Sequence, residues 1–368
     1  MTRSRLLVAG GGTAGHVLPA MSVLEAAVAR GHRPEDLHYV GSTRGVETEM
    51  VPPLGVPFTF LRVVGLQRRM TAVNLLFPLL MVVAVLSALR LLRRRRPGVV
   101  VSVGGYASLP PVLAARLLRI PVVVVSYDRR PGRASAVSAR FAAASAVAFP
   151  DSSLPKATFT GAPLRRAILE VDRINGREAA RRQLGVEEDR FLIVALGGSL
   201  GSAALNAAVA SLVEGRIDDR GLGVVHLAGR RFVEGLPAAR DGSTGIWYSP
   251  SGFSDDMATL YAAADLVIGR GGASTVHEVA AVGVASILVP WDGAAEDHQR
   301  ENVRWLADVG AAIALAESDL GSLGVLVDEL RGTRDRLDGL ASRAREMGEV
   351  SRSGRLAELV DAVADGDT

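Results

Sequence analysis

The chain has 368 residues, with 42 Lys and Arg against 39 Asp and Glu, and no cysteine. That length calls for two domains of ordinary size. The near balance of charge, a formal +3 with Lys156 as the sole lysine, gives no basic groove of the kind that binds nucleic acid. The lack of cysteine excludes disulfides, thiolate catalysis and Cys-ligated metals.

In chain order, Leu6-Leu7-Val8-Ala9 reads as a buried strand. The apolar run is too short for a signal-peptide core, so the protein is expected in the cytoplasm. Gly10, Gly12 and Gly15 then fit G-x-G-x-x-G, with a helix predicted over residues 19–30. A nicotinamide-dependent oxidoreductase is one reading. Against it, the strand at 37–40 ends in Gly41-Ser42-Thr43-Arg44 without the expected acid. His16 falls at a helix start, where the dipole disfavours imidazolium and leaves the neutral form that a general base needs. The alternative is a polar helix-start residue.

Residues 71–98 carry a long apolar run that nears the roughly 20 residues of a membrane span. Asn74 and Pro78 interrupt it, and a crossing would separate the next strand, 99–103, from 6–9. A helix, or a broken pair, is therefore expected, with one face on a sheet and part of the other exposed. The arginines at 93–96 would lie beside it for anionic headgroups; a fully buried connecting helix is the alternative. A second glycine turn, Gly104-Gly105-Tyr106, follows. Strand 122–125 leads to Ser126-Tyr127-Asp128-Arg129-Arg130-Pro131-Gly132, and further strands are predicted at 142–149 and 158–160. Gly161-Ala162-Pro163 breaks the chain and places a domain boundary at 163.

The second half restarts the pattern with strand 191–196, GGSLGS at 197–202 and a helix over 203–212. Strands are predicted at 224–228 and 245–248. Asp255-Asp256 reads as a helix cap with a first-turn acid. Strand 266–268 leads through Gly269-Arg270-Gly271-Gly272 to a helix opened by Ala273-Ser274-Thr275 and closed at Gly283; Asp297-His298-Gln299 heads another after strand 286–289. Amides and a dipole end so arranged suit a diphosphate. Glu278 either accepts from a ribose diol or closes its own helix in a Thr275-x-x-Glu278 capping box. Amphipathic helices follow from 318, and the last (about 347–368) is expected to pack back on the first domain. Residues 164–346 would form the second. Doubly wound sheets bind ligands at the carboxyl ends of their strands, so a shared cleft is expected.

GGGTAGHVLPA, VSVGGYASLPP, TGAPLRR, GGSLGS, FSDDMA, GRGGASTVHEVAAVG and DHQREN, in this order, resemble the MurG-type glycosyltransferases of peptidoglycan synthesis. The resemblance covers essentially the whole chain. It implies an α/β GT-B fold of two Rossmann-like domains. The implied reaction is inverting transfer of N-acetylglucosamine from UDP-N-acetylglucosamine to the 4-hydroxyl of the muramoyl sugar of lipid I, without a metal or cofactor. By motif position, Arg165, Ser199 and Ala273-Ser274-Thr275 would hold the diphosphate, Glu278 the ribose, Ser254 would lie near the uracil, and Gln299 would contact the donor sugar. Thr13, Ala14, Gly15 and His16 would face that sugar, with His16 the base. Gly104, Gly105, Tyr106 and Asp128 would form the acceptor side. The segment 71–96 would dock on an anionic membrane surface at the cytoplasmic face. Val125-Ser126-Tyr127-Asp128 stands where the family carries H-E-Q-N, and Arg300 where some members have a second glutamine. Other acceptors, a UDP-sugar 2-epimerase and a non-catalytic cell-wall scaffold are the competing readings.

Overall fold

The computed structural model describes residues 5–63, 72–198, 201–294 and 297–367. The chain forms two compact units, Met1–Arg166 with Ser353–Thr368, and Ala167–Arg352.

The first unit is built on seven strands, β1 (Leu6–Ala9), β2 (Leu37–Ser42), β3 (Phe58–Leu61), β4 (Val99–Ser102), β5 (Val122–Ser126), β6 (Ala144–Val147) and β7 (Ala157–Phe159). Their order is β3-β2-β1-β4-β5-β6-β7, and all pairs are parallel. β1, β4 and β5 are buried along their whole length, which is why they read as unbroken apolar runs rather than alternating ones. The strand order reverses between β1 and β4, which pair directly.

The second unit repeats the plan with β8 (Phe191–Leu196), β9 (Leu222–Leu227), β10 (Arg240–Asp241), β11 (Trp247–Ser251), β12 (Leu266–Arg270), β13 (Ala285–Val289) and β14 (Ile313–Ala314). The order is β10-β11-β9-β8-β12-β13-β14, with β10 antiparallel on the edge and the reversal between β8 and β12. Two doubly wound α/β domains are thus present, as the sequence led one to expect.

The apolar run after residue 71 forms one helix, Ala72–Arg95, with Pro78 inside it. Ala84, Ala88, Leu89 and Leu92 are buried in the core of the first unit. Leu79, Val82, Val83 and Leu86 are exposed, and with the exposed Arg90, Arg93 and Arg94 they follow one helical stripe. Among the described residues no helix is long and apolar enough to cross a membrane. The helix Arg355–Asp365 buries Leu356, Val360 and Val363 against the first unit. Asp361 pairs with Arg30 at 2.9 Å and His32 at 2.8 Å, and Asp365 with Arg5 at 2.6 Å.

Each sheet carries one deeply buried histidine. His38 in β2 bonds Thr59 through Nε2 at 2.9 Å, and His226 in β9 bonds Tyr248 and Asn206 at 3.0 and 3.1 Å. Burial, joined for His38 by Arg95, pushes both from 6.5 to about 4. The unfolded chain therefore binds these protons first. The stability they contribute is complete above about pH 6.5 and is lost as pH falls towards 4, by up to roughly 3 kcal/mol for each. Urea unfolding at pH 7 and pH 5 should show the loss, and His38→Gln or His226→Gln should flatten it.

Candidate functional site

In the first unit the turns after β1 and β4 lie side by side at the reversal point. Thr13 is the N-cap of the helix Ala14–Ala29, so this helix begins five residues before the expected Pro19. Pro19 sits inside the helix and has no N–H to give the Gly15 carbonyl four residues back. The Tyr127 hydroxyl donates to that carbonyl instead. Burial and then Asp128 push the Tyr127 phenol well up, so it stays a donor. His16 occupies the third helical position, with Nδ1 3.0 Å from Thr13 Oγ1. Its ring lies against Gly104 and Gly105 (φ +89° and +75°), where a Cβ would come within 3.2 and 3.3 Å of the imidazole. Burial holds His16 below its ordinary 6.5, with Asp128 and then Glu47 pulling the other way.

His16, Tyr106, Tyr127, Asp128 and Ser135 line a cavity of about 460 Å³ whose other walls include Phe77, Met81 and Leu109. The expected acceptor-side residues Gly104, Gly105, Tyr106 and Asp128 are therefore gathered around the His16 ring. Arg129 pairs with Asp151 at 2.7 Å.

Sequence reasoning missed Glu47. It is fully buried, and its carboxylate accepts from Ser42 N and Ser42 Oγ, both at 2.8 Å, and from Gly12 N at 3.1 Å. A Cβ at Gly11 or Gly45 would strike it. The glycine turn that a dinucleotide's pyrophosphate would occupy is thus filled by the chain's own anion, which removes the structural basis for the nicotinamide reading. Glu47 reads as a surface helix residue in one dimension, and its partner Gly12 lies 35 positions away.

In the second unit the corresponding turns follow β8 and β12. Gly198 and Gly201 take positive φ (80° and 71°), and Ser202 caps the helix Ala203–Glu214 by accepting from Leu205 N at 3.2 Å. The helix Ala273–Val282 starts from Gly272 with no side-chain cap and no acid in its first turn, and ends at Gly283. Its leading amides and positive dipole end are left for an anionic ligand. Gly271 lets the helix His298–Ala307 approach, since a Cβ there would lie 2.8 Å from the Gln299 carbonyl oxygen. Among the described residues no group of three or more His, Asp and Glu side chains is arranged to hold a metal ion.

Glu278 stands in the second turn of that helix, because the N-cap is Gly272 rather than Thr275. The capping-box alternative is excluded by this geometry. The Tyr261 hydroxyl donates to its carboxylate at 2.8 Å. The Gln299 carboxamide oxygen accepts from Trp291 N at 3.0 Å, so its NH₂ end is what it can offer a ligand. Ser254 follows β11, half-buried, and accepts from Asp256 N at 3.2 Å. Asp256 caps the helix Met257–Ala263. Arg165 belongs to the first unit, one residue before its main stretch ends at Arg166, and Ser199 lies outside the described residues. Arg270 is a second residue the sequence left unread. It is buried, pairs with Glu317 at 2.9 Å and donates to Ser202 Oγ, tying the end of β12 to the cap beyond β8.

Residues 6–147 match the glycosyltransferase family 28 N-terminal domain, and residues 192–356 match the family's C-terminal domain. A UDP-N-acetylglucosamine–N-acetylmuramyl-(pentapeptide) pyrophosphoryl-undecaprenol N-acetylglucosamine transferase from Burkholderia pseudomallei is 37% identical over 99% of this chain and 97% of its own length. The crystal structure of Acinetobacter baumannii MurG superposes with a TM-score of 0.73 at 29% identity, over 97% of this chain and 98% of that one. The calicheamicin glycosyltransferase CalG4, at 16% identity and a TM-score of 0.64 over the whole of both chains, shares the fold. The chain belongs to glycosyltransferase family 28 and, within it, to the MurG-type N-acetylglucosamine transferases.

Proposed function

We propose that the chain moves N-acetylglucosamine from UDP-N-acetylglucosamine to the 4-hydroxyl of the N-acetylmuramyl sugar of undecaprenyl-diphosphate-linked muramyl pentapeptide, turning lipid I into lipid II with inversion at the anomeric carbon. The observation that carries this reading is the uncapped helix start at Ala273-Ser274-Thr275 with Glu278 one turn further in: amides for a diphosphate, then a carboxylate for a ribose. The UDP-sugar enters as substrate.

In this reading the second unit, together with Arg165, holds the donor. Ala273, Ser274, Thr275, Ser199 and Arg165 take the diphosphate, Glu278 the ribose, Ser254 the uracil side, and the Gln299 NH₂ a sugar hydroxyl. The first unit presents the acceptor along Gly104, Gly105, Tyr106 and Asp128, with Thr13, Ala14 and Gly15 beside the transferred sugar. His16 takes the proton of the 4-hydroxyl as that oxygen bonds to the anomeric carbon. The bond from that carbon to UDP breaks with its electron pair going to the diphosphate, where helix amides and Arg165 stabilise the charge. The stripe from Leu79 to Arg94 lays its apolar half into an anionic lipid surface at the cytoplasmic face.

A single-turnover assay with UDP-N-acetylglucosamine and defined lipid I tests the reading. The disaccharide lipid is the expected product. UDP-sugar epimerisation, or no product at all, would overturn it in favour of an epimerase or a scaffold. Cosedimentation with phosphatidylglycerol vesicles should fall about tenfold in the double variant Leu79→Asp, Val83→Asp.

A further inference from the structure

An N-cap threonine ordinarily turns its hydroxyl back to accept from a backbone N–H in the first turn of its helix. Thr13 caps the helix Ala14–Ala29 with extended backbone angles (φ −141°, ψ 156°), yet its hydroxyl makes no such bond. It lies instead 3.0 Å from Nδ1 of His16. Among the described residues it is the hydrogen-bond partner of the imidazole. Three side chains near the ring are bound elsewhere. Glu47 is bound by Gly12 and Ser42, Tyr127 by the Gly15 carbonyl, and Tyr106 by Ser42 Oγ. Asp128 and Glu47 act on His16 through charge.

A neutral imidazole has one N–H and one lone pair, and the partner of one nitrogen decides which nitrogen carries the proton. We propose that Thr13 is a positioning residue: its hydroxyl oxygen accepts from Nδ1–H of His16, which leaves the lone pair on Nε2 for the incoming sugar hydroxyl. With the bond reversed, Nε2 would carry the proton and His16 could only donate to the acceptor. A hydroxyl can accept from Nδ1–H without adding a carboxylate that would hold the imidazole protonated at neutral pH. This inference rests on the reading of His16 as the base.

Two measurements test it. In the ¹⁵N-labelled enzyme without substrates, the side-chain ¹⁵N shifts of His16 (assigned by loss of its signals in His16→Ala) should report the Nδ1–H tautomer, and Thr13→Val should shift the population towards Nε2–H. In the lipid I assay Thr13→Val should lower kcat about tenfold, with any change in KM for UDP-N-acetylglucosamine much smaller, and Thr13→Ser should restore most of it. A wild-type Nε2–H tautomer, an unaltered tautomer in Thr13→Val, or a loss expressed chiefly in KM with kcat kept would overturn the proposal. A His16→Ala enzyme with full kcat would instead remove the base reading, while the tautomer measurement would still decide what Thr13 does to the ring.

Discussion

Replacing His16 with alanine is expected to lower kcat by about 10²- to 10⁴-fold, the usual loss of a positioned general base, while leaving the affinity for UDP unchanged. The expectation follows from where the ring is held. Thr13, Gly104 and Gly105 fix it at the mouth of the first unit's turns, and burial keeps it below 6.5 despite Asp128 and Glu47. A base held below its ordinary value is mainly unprotonated at pH 7, so kcat/KM should decline on the acid side at a lower pH than an ordinary histidine would give. Asp128→Asn removes a charge that favours the imidazolium and should carry the acid limb to still lower pH. Steady-state kinetics across pH 5–8, with calorimetric titration of UDP, checks both statements. A proportionate fall in UDP affinity would show that His16 serves binding rather than proton transfer.

Glu278→Ala is expected to weaken UDP binding by about 10- to 100-fold, the range for losing hydrogen bonds to a charged acceptor. The carboxylate is held in place by the Tyr261 hydroxyl and lies one turn inside a helix whose own start it does not close. Its removal should therefore leave the helix intact while the ribose loses its partner. Tyr261→Phe, which removes this one hydrogen bond and keeps the carboxylate, should cost only a few-fold. Calorimetry with UDP, paired with thermal melts, separates the effects. Unchanged affinity in Glu278→Ala would dissociate this carboxylate from the nucleotide.

Much of the fold was legible because parallel strands covered on both faces leave continuous Val, Leu and Ile runs, and because glycine turns mark where they end. β3 escaped notice since it is partly exposed and carries no such run. The start of the first helix was misplaced at Pro19, a residue that the fold tolerates inside the helix by giving the freed carbonyl to Tyr127. The glycine turns and the helix start at Ala273 were readable from local spacing. Glu47 and Arg270 were not, because what defines them is a partner dozens of residues distant: Gly12 for one, Glu317 for the other.

The helix Arg355–Asp365 completes a unit whose other elements end at Arg166. On the ribosome, at roughly 5–20 residues per second, every part of the second unit is translated before that closing piece. The unit encoded first is therefore completed after the second has been made, and its apolar seats for Leu356, Val360 and Val363 stay open until then.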